Sequence, residues 1–136
     1  MNNAAFKLEK YIFDQAKLDL SQLKAETTFN IDFLPSGVFY AENDKYVLTF
    51  VFTAKDADTD KEIAFVRCIA TFLFRDMNED KEIPEYFYTN SIAILFPYIR
   101  AFVSTLTLQA NVVPIVLPIL NLSDLKDTLM AHTQRM

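Results

Sequence analysis

The stretch KYVLTFVFTAKDADTDKEIAFVRCIATFLF, residues 45–74, decides the fold class. Residues 45–54 are rich in β-branched and aromatic side chains, which favour strands. Every second position of this run is large and apolar, at Tyr46, Leu48, Phe50 and Phe52. Residues 63–74 form a second long apolar run, and the polar residues 55–62 between the two runs are typical of a hairpin loop. The sequence therefore predicts two long strands of an antiparallel sheet.

Upstream of this hairpin, the alternation of apolar and polar residues predicts further strands. Residues 5–20 contain short alternating stretches and predict one or two half-buried strands. Residues 27–34 alternate more clearly, because one side of the strand would carry Phe29, Ile31 and Phe33. The sequence PSG at 35–37 holds the only glycine and predicts a turn or a bulge, after which residues 38–41 resume the strand.

Downstream, the spacing of apolar residues changes from two to three and four, which is typical of an amphipathic helix. From Ser91 these positions are Ile92, Leu95, Phe96, Ile99, Phe102, Val103, Leu106 and Ala110. Pro97 lies within the pattern, so the helix either begins there or is kinked there. Asn121 is expected to cap a last helix with its apolar side at Leu122, Leu125 and Leu129.

The order of these elements, strands first and helices later, predicts an α+β fold with the helices on one face of an antiparallel sheet. The length of 136 residues fits a single domain over residues 1–136. Hydrophobic residues make up 51% of the chain and include 13 phenylalanines, which is more than a small monomer needs. This surplus predicts an oligomer interface or an apolar binding surface.

Charge and polarity argue against two classes of partner. The formal net charge is −5 and the chain has no basic run, so we expect no nucleic-acid binding. Residues 101–123 carry no charge and are long enough to span a membrane, but Pro114, Pro118 and several polar residues interrupt them. We therefore expect no membrane insertion. The lone Cys68 excludes an internal disulfide framework and fits a reducing cytoplasm.

Catalytic and metal-binding patterns are scarce. Cys68 lies mid-strand, where a small buried hydrophobe is expected, and the one histidine, His132, lies near the C-terminus. The acidic residues at 56, 58 and 60, and the polar residues at 76, 78 and 80, have calcium-loop spacing but lack the glycine and glutamate that such loops need. We therefore expect no cofactor, no metal and no enzymatic activity. The composition favours a binding protein.

Several segments resemble SecB, the bacterial export chaperone. The sequence ILFPYIR at 94–100 resembles the signature that opens the main helix of that family. The sequence LPI at 117–119, followed by Asn121, Leu122 and Leu125, resembles its Pro-x-Asn-Phe-x-x-Leu stretch with one extra residue. The sequences FNIDF at 29–33 and FKLEKY at 6–11 resemble the strand after the crossover segment and the family's opening strand. The order of elements agrees over residues 5–130.

The resemblance implies a four-stranded antiparallel sheet with Greek-key connections, backed by a long helix and a C-terminal helix. It also implies a homotetramer, a dimer of dimers, in which edge strands pair within the dimer and the main helices pack between dimers. On the helix, the interface residues would be Phe102, Val103, Ser104 and Thr107.

The implied activity is that of an ATP-independent holdase, which binds unfolded polypeptides in long apolar grooves. The residue match places Phe29, Ile31 and Phe33 on the strand side of the groove. It places Leu106, Leu125 and Leu129 on the helix side. Ordinary core packing is the alternative interpretation of all six positions, since spacing alone does not separate a groove wall from a core.

The sequence departs from the family where it would dock SecA, the translocase motor. The family uses acidic residues on its exposed sheet face, and the corresponding position in the fourth strand is Cys68, preceded by Arg67. In the first strand, one expected acid falls near Gln15. These residues would weaken motor docking. A chaperone dedicated to a non-export client such as an antitoxin is therefore an alternative, as is a carrier of an apolar small molecule.

Overall fold

In the computed structural model, which describes residues 4–118 and 121–136, the chain forms a five-stranded sheet and two α-helices. The strands that open the chain are β1 (Ala5–Leu18), β2 (Phe29–Tyr40), β3 (Lys45–Asp56) and β4 (Glu62–Arg75). The helices α1 (Glu85–Gln109) and α2 (Leu122–Ala131) follow, and the short strand β5 (Thr133–Arg135) ends the chain. The predicted α+β order of elements is confirmed.

The strand order in the sheet is β1-β4-β3-β2-β5. All neighbours are antiparallel except β5, which runs parallel to β2. Residues 19–28 carry the chain from β1 at one edge of the four long strands to β2 at the other, and this long crossover makes a Greek key. The predicted sheet is confirmed, and the three residues of β5 are a small addition to it.

The two faces of the sheet differ because both helices pack on one of them. On this helix-side face, Phe50 lies opposite Cys68 in β4 and Pro35 in β2, and all three are buried. The ring of Phe87 in α1 packs on the same face, 4.6 Å from the ring of Tyr46. The alternate residues of each strand lie on the outer sheet face, which no helix covers among the residues that the structure describes.

Residues 35–37 do not form the predicted turn, because β2 runs straight through them. Gly37 pairs with Leu48 in the ladder. A Cβ atom at Gly37 would lie 2.0 Å from the hydroxyl oxygen of Tyr46. The glycine is therefore needed for the close approach of a buried tyrosine ring, not for a turn. The Tyr46 hydroxyl is held in turn by the Thr133 hydroxyl in β5, at 2.6 Å.

Helix α1 begins earlier than the apolar spacing indicates, directly after Pro84. Pro97 is inside the helix and exposed, so it does not start the helix. The predicted cap of α2 is confirmed, since the Asn121 side chain accepts a hydrogen bond from the Asp124 backbone N–H at 3.2 Å. Residues 112–118 between the helices have no regular secondary structure, and Ile119 of the resemblance motif lies outside the described residues.

Helix α1 is long and apolar enough, by length and composition, to cross a membrane. Its most apolar window has a mean hydropathy of 1.5, and 39% of that window is buried inside the protein. The buried residues contact the sheet, as in the core helix of a globular protein. The predicted membrane-length segment 101–123 is not one helix, because α1 ends at Gln109.

Candidate functional site

The edge of β2 is only partly covered. Strand β5 pairs with Gly37, Val38 and Phe39, and in the described part of the chain no other strand pairs with residues 29–36 at this edge. The Gly37 N–H donates to the His132 carbonyl, and the Phe39 carbonyl accepts from the Met136 N–H. The N–H and carbonyl groups of successive residues in a strand point to opposite edges. Every second residue before Gly37 therefore also directs its N–H and carbonyl groups to this open edge.

The residues that face the open edge are Phe29, Ile31, Phe33 and Pro35. The first three offer both an N–H and a carbonyl group for pairing with another strand. Pro35 has no N–H, and proline is tolerated in a sheet at such an edge position. This stretch of eight residues is long enough to pair with an extended segment of about 26 Å, at roughly 3.3 Å per residue.

The side chains of the same residues form an apolar surface on the helix-side face. Phe29, Ile31 and Phe33 are all half-buried. The Phe33 ring lies 5.8 Å from the rings of Phe52 in β3 and Phe96 in α1. The structure thus brings the three predicted strand-side residues together beside an open backbone edge. An extended polypeptide placed there would meet hydrogen-bonding groups and apolar side chains at once.

Two open cavities flank this surface. The crossover cavity, of about 400 Å³, lies between the crossover segment and the chain that follows α1, and its lining includes Leu23, Phe29 and Val112. The helix cavity, of about 320 Å³, is lined by Phe96, Arg100 and Leu117, among others. The helix cavity is largely apolar, whereas the lining of the crossover cavity also includes Lys24, Thr27 and Asn111. Each is large enough for one or two amino-acid side chains. Sequence spacing did not indicate either cavity, because each depends on segments far apart in the chain.

The segment 112–118 contributes apolar residues that the sequence patterns missed. Ile115 and Leu117 are buried, while Val113 and Val116 are more than four-fifths exposed. The Thr107 hydroxyl fixes the start of this segment, because it accepts a hydrogen bond from the Ile115 N–H at 3.2 Å. The uninterrupted apolar run at 112–117 was the available signal.

The predicted helix-side residues differ in exposure. Leu106 is half-buried, Leu125 is 9% exposed and Leu129 is fully buried. Helix α2 packs against both β2 and α1. Leu129 therefore belongs to the core within one chain and offers no surface to another molecule. Leu106 is the most accessible of the three.

The predicted interface residues of α1 also divide into two groups. Val103 and Thr107 are buried within the chain, and the Thr107 hydroxyl donates to the Val103 carbonyl at 3.0 Å. Phe102 and Ser104 are half-buried, and the Phe102 ring stacks on Phe13 of β1 at 4.1 Å. The exposed side of the helix carries a different apolar stripe, formed by Ala93, Ile94, Pro97, Tyr98, Ala101 and Leu108.

The structure confirms that Cys68 is buried in mid-strand and corrects its expected position on the docking face. Cys68 is fully buried on the helix-side face, and its burial raises the pKa of its thiol to about 12. It is therefore neither exposed nor a thiolate at neutral pH. Arg67 does lie on the outer sheet face, opposite Gln15. It pairs with Asp14, with 3.0 Å between Nε and Oδ1, which lowers the pKa of that carboxyl group.

The crossover segment is anchored to the sheet by a small polar cluster. Asp19 accepts a hydrogen bond from the Ser21 hydroxyl at 2.6 Å and pairs with the Lys61 ammonium at 3.1 Å. These contacts, the Ser21 hydroxyl first, lower the pKa of Asp19 to about 2. The cluster fixes the start of the crossover segment against the loop between β3 and β4. Within residues 4–118 and 121–136, no three His, Cys, Asp or Glu side chains are placed to hold a metal ion.

The uncharacterized protein MJ0357 of Methanocaldococcus jannaschii is 27% identical over 128 residues, which cover 88% of this chain and 81% of that protein. No protein-family model matches the sequence. Among solved structures, a protein of unknown function from Streptococcus agalactiae superimposes with a TM-score of 0.46 at 15% identity, covering 85% of this chain and 98% of that one.

A second solved structure is more similar. It is the Mycobacterium tuberculosis SecB-like chaperone Rv1957 in complex with a ChAD peptide from the Rv1956 HigA1 antitoxin. Its TM-score is 0.64 at 20% identity, and the match covers 85% of this chain and 90% of that chain. The Greek-key sheet, the two helices on one face and this superposition together show that the chain has the SecB-like fold.

Proposed function

We propose that this protein is a holdase chaperone that binds non-native polypeptides along the open edge of β2. The observation that carries the proposal is the edge at residues 29–36, which no strand of the described residues covers, beside the half-buried Phe29, Ile31 and Phe33. An extended client segment would add to the sheet by backbone hydrogen bonds, and its alternate side chains would enter the apolar surface and the two cavities.

This mode of binding accounts for broad client recognition. Backbone hydrogen bonds are independent of client sequence, and dispersion contacts with phenylalanine rings are non-directional. Each client side chain buried there would contribute about 1.5–3 kcal/mol before the ordering cost is subtracted. The binding energy comes from burial and pairing, so we propose that holding needs no nucleotide and no catalytic step.

We further propose that the client is not an export substrate. The SecB-like chaperone with the similar fold was solved in complex with a peptide from an antitoxin. In this chain Arg67, the residue before the expected docking position, lies on the outer sheet face in an ion pair with Asp14. Because the Asp14 carboxylate is already paired with Arg67, it is not free to bind a basic motor segment. A dedicated cytoplasmic client is the better match to these residues.

The double variant Phe29→Thr/Ile31→Thr is expected to weaken client binding by at least about tenfold, because two apolar contacts at the open edge are removed. The measurement is the concentration of protein that halves the aggregation of a reduced, unfolded client, followed by light scattering without nucleotide. Leu34→Thr is the matched control, since Leu34 lies in the same strand but on the outer sheet face.

An unchanged holding activity in the Phe29/Ile31 variant would contradict the proposed site. A protein that suppresses no aggregation, but carries an apolar small molecule visible by native mass spectrometry, would instead be a carrier. Melting curves of both variants are needed to show that the fold is retained.

We propose a homotetramer for the native assembly. Helix α1 exposes an apolar stripe that includes Ile94, Tyr98 and Leu108. Among residues 4–118 and 121–136, no strand pairs with the outer edge of β1. Light scattering at micromolar concentration is expected to give about four times the 15.7 kDa chain mass. The variant Ile94→Glu/Tyr98→Glu is expected to reduce that mass, because it places charges in an apolar interface. A wild-type monomer would refute this assembly.

A further inference from the structure

The outer sheet face is basic, although the chain as a whole is acidic. Lys7, Lys10 and Lys17 of β1 all lie on this face, as does Lys45 of β3. Arg67 lies among them in β4. The whole chain has 13 basic and 18 acidic residues, so the cations are concentrated here against the overall balance.

Fewer carboxylates share the face. Asp14 is paired with Arg67, while Asp32 of β2 and Glu62 of β4 lie towards one end of the sheet. Glu62 also lies opposite Lys55, so that lysine has an acidic neighbour. Glu9 occupies a bulge in β1 between Leu8 and Lys10. The other end of the face, around Lys7, Lys10 and Lys45, is therefore where positive charge dominates.

The middle of the same face is partly apolar, with Thr49 and Arg67 beside the apolar side chains. Ile69 of β4 lies opposite Ile12 of β1, and Val51 of β3 lies opposite Leu34 of β2. Ile12 is 60% exposed and Leu34 is 51% exposed. An apolar centre bordered by charged groups is the usual arrangement of a protein-docking surface.

A simpler explanation accounts for only part of this pattern. Lysines on an edge strand hinder uncontrolled edge pairing, which explains the lysines of β1. Protection of the edge does not explain Lys45 or Arg67, which lie on interior strands. Nor does it explain the exposed aliphatic side chains in the middle of the face.

A nucleic-acid surface would offer free aromatic rings for base stacking between its cations. Here the Phe65 ring is covered by the Lys17 ammonium at 5.2 Å, and the Tyr40 ring by the Lys45 ammonium at 5.0 Å. Both rings are therefore occupied, and the centre between them is aliphatic. A polypeptide ligand fits this face better than a nucleic acid does.

We propose that the outer sheet face docks an acidic partner protein, through a segment in which carboxylates alternate with apolar side chains. The carboxylates would pair with Lys10 and Lys45, and the apolar side chains would cover the centre at Ile69 and Leu34. Because this face is opposite to the helix-side face, the partner and a client held at β2 can be bound at the same time. The docking surface does not depend on the holdase proposal.

The test uses the full chain and a fluorescent peptide of about 16 residues built from Glu and Leu, with fluorescence anisotropy as the readout. We expect binding that weakens at least about tenfold between about 50 and about 500 mM NaCl, since the contacts are exposed charges. A peptide with Lys in place of Glu is expected not to bind. A single-stranded oligonucleotide of about the same charge is the competing probe.

Substitutions locate the site. Lys10→Glu and Lys45→Glu are each expected to weaken peptide binding about fivefold or more, and Leu34→Asp to weaken it similarly by placing a carboxylate in the apolar centre. Lys126→Glu makes the same charge change on α2, away from this face, and is expected to stay within twofold of wild type. The Phe29→Thr/Ile31→Thr variant is expected to bind the acidic peptide normally, which separates this face from the client site.

Three results would overturn the proposal. The first is no binding of the acidic peptide at low salt. The second is equal weakening by Lys126→Glu and by the outer-face variants, which would indicate a general charge effect. The third is preferential binding of the oligonucleotide with the same dependence on Lys10 and Lys45, which would assign the face to nucleic acid.

Discussion

Replacing Gly37 with alanine is expected to destabilise the protein by about 3 kcal/mol, the upper part of the range for overpacking a core. The added Cβ would lie 2.0 Å from the Tyr46 hydroxyl oxygen and 2.3 Å from its Cζ atom. The tyrosine ring has little room to move, because Tyr46 is fully buried and its hydroxyl is bonded to Thr133. Thermal unfolding followed by circular dichroism should show a melting temperature lower by about 10 °C.

The physical reason can be tested with a double-mutant cycle. In a Tyr46→Leu background the clashing atoms are absent, so Gly37→Ala is expected to destabilise by less than about 1 kcal/mol. Val38→Ala, at the next position of β2 and on the outer sheet face, is the neighbouring control and should have a smaller effect than Gly37→Ala in the wild type. Equal effects of Gly37→Ala in both backgrounds would show that the tyrosine is not the cause.

Replacing Leu129 with alanine is expected to lower the free energy of unfolding by about 2–5 kcal/mol, the range for truncating a buried leucine. Leu129 is 0% exposed and lies where α2 packs on β2 and α1. Client holding per folded molecule should be unchanged, because the side chain contacts no client surface. Denaturant unfolding at a fixed protein concentration measures the first quantity, and the aggregation assay measures the second.

The matched control for Leu129 is its neighbour in the same helix. Met130 is 42% exposed, so Met130→Ala should change stability by no more than about 0.5 kcal/mol. If Leu129→Ala left stability unchanged and abolished client holding, Leu129 would be part of the groove, as the resemblance implies. The comparison therefore separates core from binding surface at this position.

The strand side of the candidate site could be predicted from the sequence, but its helix side could not. Phe29, Ile31 and Phe33 share a face because side chains alternate in any strand, whatever the strand pairs with. On a helix, the same three-and-four spacing describes residues of the core and residues of a groove wall. Only packing separated the half-buried Leu106 from Leu129, which is completely buried.

The position of Cys68 illustrates a second limit of the sequence. A single-residue change in register moves a side chain to the opposite face of a sheet. The docking position inferred for Cys68 therefore depended on a register that only the ladder with Phe50 and Phe13 decided. Gly37 is a similar case. The position tolerates no side chain because Tyr46, a residue of the neighbouring strand, fills the space beside it.

The sequence by itself determined the kinds of elements, their order and the capping of α2 by Asn121, because these depend on interactions between residues close in the chain. Three features follow only from the packing of distant segments: the open edge at residues 29–36, the two cavities, and the basic outer sheet face. Each of these arises where strands or segments distant in sequence become neighbours. Periodicity describes one element at a time, whereas a surface is made by several.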